Sequence, residues 1–273
     1  MVRVGQLDFH IYEAGCADGP LLILLHGFPE SGRAWCKLLP ALVERGYRVV
    51  APDMRGYGDS DAPQGLAQYA LDLLADDIVG LADALGAETF TLAGHDWGGI
   101  VAWAVAARHP ARLNRLVILN APHPDTVAAE MRRHPRQILR SLYVGFFQLP
   151  RLPEAMLGAF AFRALRRSLA RTSRAGAFTA SDLDDYAAEW ARPGRLTAML
   201  NYYSALRLPH PPLGRITVPT VILWGMGDRF LGAHLCSAAA AMCDQVSVVD
   251  FANSTHWLHH EDPLRVAAEI AQA

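Results

Sequence analysis

The chain has 273 residues, 52% of them apolar and 19% charged, with a formal net charge of −2. This suits a globular α/β protein, a core domain with an insertion, and excludes a disordered chain. The near-neutral balance gives no global electrostatic reason to expect nucleic acid, and the longest apolar run, Leu21 to Leu25, is far too short for a membrane span.

In chain order, Leu7 to Ala14 alternates apolar and polar residues and predicts an exposed strand. Pro20 to Leu25 predicts a buried strand running into His26-Gly27. Ala34 to Arg45 has a helical pattern that stops before Gly46. Tyr47 to Ala51 predicts a strand, followed by the turn-rich stretch Pro52 to Pro63. Leu71 to Leu85 predicts a helix ended by Gly86, Thr89 to Ala93 a strand, Ile100 to Arg108 a helix, and Leu113 to Leu119 a strand. Apolar strands alternating with amphipathic helices imply a mostly parallel sheet with helices on both faces.

The rhythm breaks at Asp125. From there to Leu213 no strand pattern is visible, and helical patterns are punctuated by prolines. The rhythm resumes with strands at Val218 to Trp224 and Gln245 to Phe251 and a helix at Pro263 to Ala271. The expected organisation is a core domain of residues 1–124 and 214–273 and a helical cap of residues 125–213 over the carboxyl edge of the sheet. Charge follows this division. Residues 125–213 hold thirteen arginines against seven acids, a balance of +6, and the remainder balances at −8. The simplest reading is a separately folded insertion with its own solvated faces. Cys16, Cys36, Cys236 and Cys243 match no metal or disulfide spacing, which predicts reduced thiols in a cytoplasmic protein.

The chemistry-bearing segment is Thr89 to Gly99, T-F-T-L-A-G-H-D-W-G-G. An apolar run ends in glycine and a helical pattern starts after two more glycines, the strand–turn–helix layout of a nucleophile elbow with Asp96 at its tip. A carboxylate attacking an acyl carbon would give a reactive anhydride. On an electrophilic sp³ carbon, as in an epoxide or alkyl halide, it gives an ordinary ester that water can cleave. His256, in the loop after the last strand, is the candidate base. Asp228, four residues beyond the strand end at Trp224, is the candidate acid that orients it. The backbone N–H groups of Phe28 and Trp97 are the candidate oxyanion hole. Histidines 256, 259 and 260 with Glu261 lack a zinc-protease spacing, and Gly94 to Gly98 is no phosphate loop, so no metal or cofactor is expected.

His26-Gly27-Phe28-Pro29-Glu30-Ser31, Asp53 to Ser60, Gly94-His95-Asp96-Trp97-Gly98-Gly99 and His256-Trp257 together resemble the epoxide hydrolase family of the α/β-hydrolase fold, over nearly the whole chain. The resemblance implies that fold, with a helical cap inserted after strand 6. It implies Asp96 as nucleophile, Asp228 and His256 as the water-activating pair, and Phe28 and Trp97 as the oxyanion hole. It also implies two cap tyrosines that hydrogen-bond the epoxide oxygen and protonate it. Leu142 to Pro150 matches one tyrosine segment through Tyr143, and Leu200 to Leu206 the other through Tyr203, with Tyr202 as the rival position. An alkoxide is a poor leaving species unless protonated, and a phenol is an apt donor. The expected substrates are a small apolar epoxide and water, in a cavity lined by Phe146, Phe147, Phe160 and Trp257.

The sequence departs from the family in three places. The chain starts close to its first clear strand, so an N-terminal edge strand is expected to be short or missing. Ser204 stands where many relatives have a basic residue. Gly225 and Gly227 around Met226 predict a mobile acid loop. A haloalkane dehalogenase is the near alternative. Phe28 disfavours it, because dehalogenases usually carry a polar residue there. A non-catalytic ligand-binding protein on the same scaffold predicts a broken triad, whereas all three members are present.

Overall fold

The structure, a computed structural model, describes residues 1–272. Strands β1 (Val2–Val4) and β2 (Leu7–Phe9) form a small antiparallel hairpin apart from the main sheet, so the first strands are present but short. Strand β3 (Ile11–Ala14) begins the main sheet. The single strand expected over Leu7 to Ala14 is broken at His10. Its N–H donates to Ser60 Oγ (2.9 Å), and its carbonyl accepts from the Asp53 N–H (2.9 Å), so the turn-rich loop captures it.

Next come β4 (Leu21–Leu25), α1 (Leu39–Val43), β5 (Arg48–Pro52), α2 (Leu71–Ala84), β6 (Phe90–His95), α3 (Trp97–Arg108) and β7 (Leu113–Leu119). The helix expected over Ala34 to Arg45 is instead a 3-10 turn at Gly32–Trp35 and the short α1. Pro40 sits in the first turn of α1, where its missing N–H costs no helix bond. The helical run follows: α4 (Pro124–Arg133), α5 (Pro135–Arg140), α6 (Leu142–Phe146), α7 (Leu152–Thr172), α8 (Ala180–Trp190) and α9 (Arg195–Ser204). The chain closes with β8 (Thr220–Gly225), α10 (Ala233–Ala240), β9 (Val246–Phe251), α11 (Leu258–Glu261) and α12 (Pro263–Ala271). Counting β2 and β3 as one interrupted strand, the helical run leaves the sheet after the sixth strand.

The main sheet has the order β3-β5-β4-β6-β7-β8-β9, with β3 antiparallel and the rest parallel. All five residues of β4 are buried. Leu21, Ile23 and Leu25 face the core shared with α2 and α3. Leu22 and Leu24 face the one shared with Trp35, Leu42 and α12. That two-sided burial is why the strand reads as an unbroken apolar run. Each such leucine contributes about 1.5–3 kcal/mol by leaving water. Chain order reverses between β4 and β6, and this opens a crevice at their carboxyl ends where the elbow and the His26-Gly27 loop meet.

The helical run lies over that crevice. The Trp190 indole N–H donates to the Pro29 carbonyl (2.7 Å), the Tyr202 hydroxyl to the Arg55 carbonyl (2.8 Å) and Lys37 Nζ to the Ala177 carbonyl (2.9 Å). Helix α8 starts at a capping box in which Thr179 and Asp182 satisfy each other's backbone N–H groups. Helix α7 is interrupted. Ala159 is extended, and Phe160, Ala161 and Phe162 are left-handed with φ of 52–58°. That conformation costs roughly 1–2 kcal/mol per non-glycine residue.

Candidate active site

Asp96 sits between β6 and α3 at φ 51°, ψ −118°, a conformation side chains rarely adopt. The turn is tight because β6 and α3 almost touch. A Cβ on Gly94 would lie 2.3 Å from the Gly98 carbonyl oxygen, and one on Gly98 would lie 2.3 Å from that of Leu25. The sharp turn lifts the Asp96 carboxylate into the crevice. Its Oδ1 accepts the Phe28 N–H at 3.0 Å. Trp97 is the first residue of α3, so its amide has no partner within the helix and points to the same end.

His256 Nε2 lies 3.6 Å from Asp96 Oδ2, and its Nδ1 donates to Asp228 Oδ2 at 2.7 Å. Asp96, Asp228 and His256 are therefore brought together. Burial alone would lower the His256 pKa. The Asp228 and Asp96 carboxylates outweigh it and push it up to about 10. Burial likewise opposes ionisation of Asp96. His256, His95 and the Phe28 N–H overcome that and hold its pKa below the ordinary value. Asp96 and Asp228 thus flank the imidazole and favour its protonated form.

The acid loop is anchored. Asp228 Oδ1 accepts the N–H groups of Phe230 (2.7 Å) and Leu231 (2.9 Å), and Oδ2 accepts Asn120 Nδ2 (2.6 Å) as well as His256. Asn120 Oδ1 takes the Gly225 N–H at 2.8 Å. Gly225 is required by close approach, because a Cβ there would meet the Thr255 carbonyl oxygen at 1.8 Å. The expectation of a mobile loop from the two glycines is thus corrected. Asn120 was not singled out from sequence. Its signal is its place directly after a buried strand, at the carboxyl edge, with φ 40°, a value asparagine tolerates.

Tyr143, on α6, and Tyr203, on α9, face each other with ring centroids 6.0 Å apart. Both line, with Asp96, two cavities that meet at the carboxylate. One, of about 290 Å³, runs past Trp97, Pro122, Val127 and Leu206. The other, of about 160 Å³, runs past Phe28, Phe147, Leu165, Phe230, His256 and Trp257. Burial, then the nearby Asp96 charge, raises the Tyr143 pKa. Burial, then Tyr143 and Asp96, raises that of Tyr203 well above the ordinary value, so both phenols hold their protons. Tyr202 also borders the larger cavity, but its hydroxyl is committed to the Arg55 carbonyl. Of the expected apolar lining, Phe147 and Trp257 are in place. Phe146 borders neither cavity. Phe160 is 84% exposed, because the left-handed turn in α7 carries it outward.

A second buried group lies behind the site. Glu30 accepts from His260 Nε2 (2.5 Å), His259 Nε2 (3.1 Å) and the Tyr186 hydroxyl (3.3 Å), and His95 Nδ1 lies 3.6 Å away. His95 Nε2 donates to the His256 carbonyl at 2.9 Å. Burial opposes the Glu30 charge, but His259 and His260 more than offset it and keep the carboxyl ionised. Among the described residues, Glu30, His95 and His259 are one of two groups whose donor atoms gather closely enough for a metal ion. The other is His10, Asp53 and Asp59. The Glu30 and Asp53 oxygens are already taken by hydrogen-bond donors. Asp53 Oδ1 accepts the Gly32 N–H, and Oδ2 accepts the Asp59 N–H and His10 Nδ1, so this set fixes a turn. His256 and Glu261 are not part of either group, since Glu261 binds Thr255 and the Arg174 N–H.

Among known proteins, the alpha/beta hydrolase fold family matches residues 20–263. The AB hydrolase superfamily protein YfhM of Bacillus subtilis is 41% identical, over 96% of this chain and 92% of its own length. Epoxide hydrolase 4 of Mus musculus is 37% identical, over 96% of this chain and 75% of its own length. Among solved structures, an epoxide hydrolase of Bacillus megaterium in complex with an inhibitor superposes with a TM-score of 0.90 at 28% identity, covering 99% of this chain and 98% of that one.

Proposed function

The chain belongs to the α/β-hydrolase fold family, among the epoxide hydrolases, and from that premise we propose a two-step reaction through an ester on Asp96. The observation that carries it is the meeting of Asp96, Tyr143 and Tyr203 at the junction of the two cavities. In the first step Asp96 Oδ2, which has no backbone donor, attacks an epoxide carbon. The ring C–O bond breaks, and the departing oxygen takes a proton from Tyr143 or Tyr203. Both phenols are protonated in the resting site, and an alkoxide is a stronger base than a phenolate, so the proton passes to the ring oxygen as it departs.

Esterification removes the Asp96 charge and with it one of the two carboxylates that hold the proton on His256. The imidazole is then freed to act as a base. The proton it sheds balances the one the tyrosine gave. In the second step His256 takes a proton from water, and the hydroxide adds to the Asp96 carboxyl carbon. The oxygen that becomes negative is the one that accepts the Phe28 N–H, and the Trp97 N–H serves as the second donor in this reading, each worth about 3 kcal/mol in such sites. Collapse breaks the ester C–O bond, the leaving alkoxide takes the proton from His256 to give a vicinal diol, and the Asp96 carboxyl returns its own proton to His256. The array is of a kind that needs no cofactor.

The helical run of residues 125–213 acts in this reading as a cap that supplies the proton donors and covers the reacting groups. Two apolar arms of unequal size favour an epoxide with unlike apolar substituents. No helix among the described residues is long and apolar enough to cross a membrane. The four unpaired cysteines support a cytoplasmic location. The test is a panel of alkyl and aryl epoxides, haloalkanes and an ester. Diol formation that vanishes in Asp96→Ala supports the reading. Halide release without diol formation would assign the site to dehalogenation.

A further inference from the structure

Between Met131 and Arg174 the chain holds ten arginines, no lysine and one acid, Glu154, a local balance of +9 that leaves −11 for the rest. Nine of the ten are exposed. Arg133 pairs with Glu130 and Arg166 with Asp184, and Arg140 donates to the Asp228 carbonyl. The guanidinium groups of the other seven form no ion pair among the described residues.

The same stretch carries half of the fourteen large apolar side chains that the described residues expose. Leu139, Leu142, Met156 and Phe160 are 68%, 61%, 56% and 84% exposed, and Ile138, Leu149 and Leu152 are close to half exposed. Single exposed leucines need no explanation, but seven within 23 consecutive residues do. Those on α6 and α7 sit on helices whose other side lines the cavities. Leu142 is outside where Tyr143 is inside, and Met156 is outside where Leu157 is inside. Phe160 is held outward by three left-handed residues rather than by packing.

One partner chemistry suits both features. A second copy of this chain would bring its own arginine-rich face against this one. A nucleic acid would satisfy the arginines but leave leucine, isoleucine and methionine side chains against a polar backbone. An anionic lipid surface takes the arginines at its phosphates and the apolar side chains at its acyl boundary. We propose that the outer face of α5, α6 and α7 docks peripherally on an anionic membrane. Because the inner face of α6 and α7 bounds the cavities, docking there places the site beside the phase in which apolar compounds dissolve. The docking surface itself does not depend on the reaction proposed above.

The experiment is co-sedimentation of the full chain with vesicles of phosphatidylcholine, alone or mixed equally with phosphatidylglycerol, at low and high salt. It compares wild type with R136E/R163E/R167E and with L139S/L142S/M156S. Hydrolysis of a water-soluble substrate and circular dichroism serve as controls for folding. The expected result is binding to the anionic vesicles alone, weakened by salt. The charge-reversal variant should bind at least about 100-fold more weakly, from about fivefold per arginine. The serine variant should also lose binding, with both controls unchanged. Absence of binding at low salt, or equal binding by all three proteins, overturns the proposal. So does a wild-type dimer that the serine variant dissociates, which assigns the face to self-association. Binding to duplex DNA that survives in the serine variant, without vesicle binding, overturns it in favour of nucleic acid.

Discussion

Asp228→Asn changes one atom and should separate the two chemical steps. Asp228 accepts four N–H donors, two at each oxygen: Phe230 and Leu231 at Oδ1, Asn120 and His256 at Oδ2. An asparagine accepts at one oxygen only. With its amide nitrogen toward Phe230 and Leu231, two half-buried backbone N–H groups are orphaned, at up to about 1–3 kcal/mol each. With its nitrogen toward His256, the imidazole needs only to change tautomer. Asn120 then rotates, at the cost of its single bond to the Gly225 N–H. The second arrangement is the cheaper by about one such bond. It places the imidazole proton on Nε2, facing Asp96, where a lone pair is needed to deprotonate water. Loss of the correct tautomer costs about 10⁴-fold in a comparable triad. Ring opening needs no base and should stay within about tenfold of wild type. Rapid-quench single turnovers, read by intact mass, should therefore show fast ester formation and decay slowed by about 10⁴-fold. Decay slowed less than about tenfold, with no accumulating ester, would show that Asp228 does not set the His256 tautomer.

Tyr143→Phe and Tyr203→Phe should each slow ring opening by about 10²-fold, and the double variant by more, with ester decay unchanged. Unchanged burst rates in both single variants would remove the tyrosines from the reaction. Stability should follow pH through His256. Its pKa is about 10 when folded and near 6.5 when unfolded, so the folded state binds the extra proton and its stabilisation is complete below about 6.5. That contribution is lost as pH rises toward 10. Melting temperature should fall across this window, and His256→Gln should flatten the fall. A variant with the wild-type slope would show that His256 is not the group responsible.

The placement of Asp96, Asp228 and His256 was readable because each lies in the turn or loop that follows a recognisable strand, and strand ends converge at one edge of a parallel sheet. Tyr143 and Tyr203 were readable only through resemblance. On a helix, Tyr202 and Tyr203 differ by a rotation that sequence does not fix, and it is the Arg55 carbonyl that commits one of them. Asn120 escaped notice because its role depends on a left-handed backbone and on a loop that arrives more than a hundred residues later. The break at His10 was hidden for a similar reason, since Ser60 and Asp53 take its backbone groups. Phe160 was misplaced because the helical pattern gives no sign of the left-handed turn that expels it. The arginine excess of the helical run was visible from the start. That it coincides with exposed leucines was not.

The most direct test of the ester mechanism is single-turnover mass spectrometry of His256→Gln with an epoxide that the wild type hydrolyses. Without the base, ring opening should proceed and stop, leaving the mass of one epoxide on the peptide that carries Asp96 and none on the same peptide of Asp96→Ala. An unmodified Asp96 peptide, with the epoxide left intact or diol formed at the wild-type rate, would contradict an ester on Asp96.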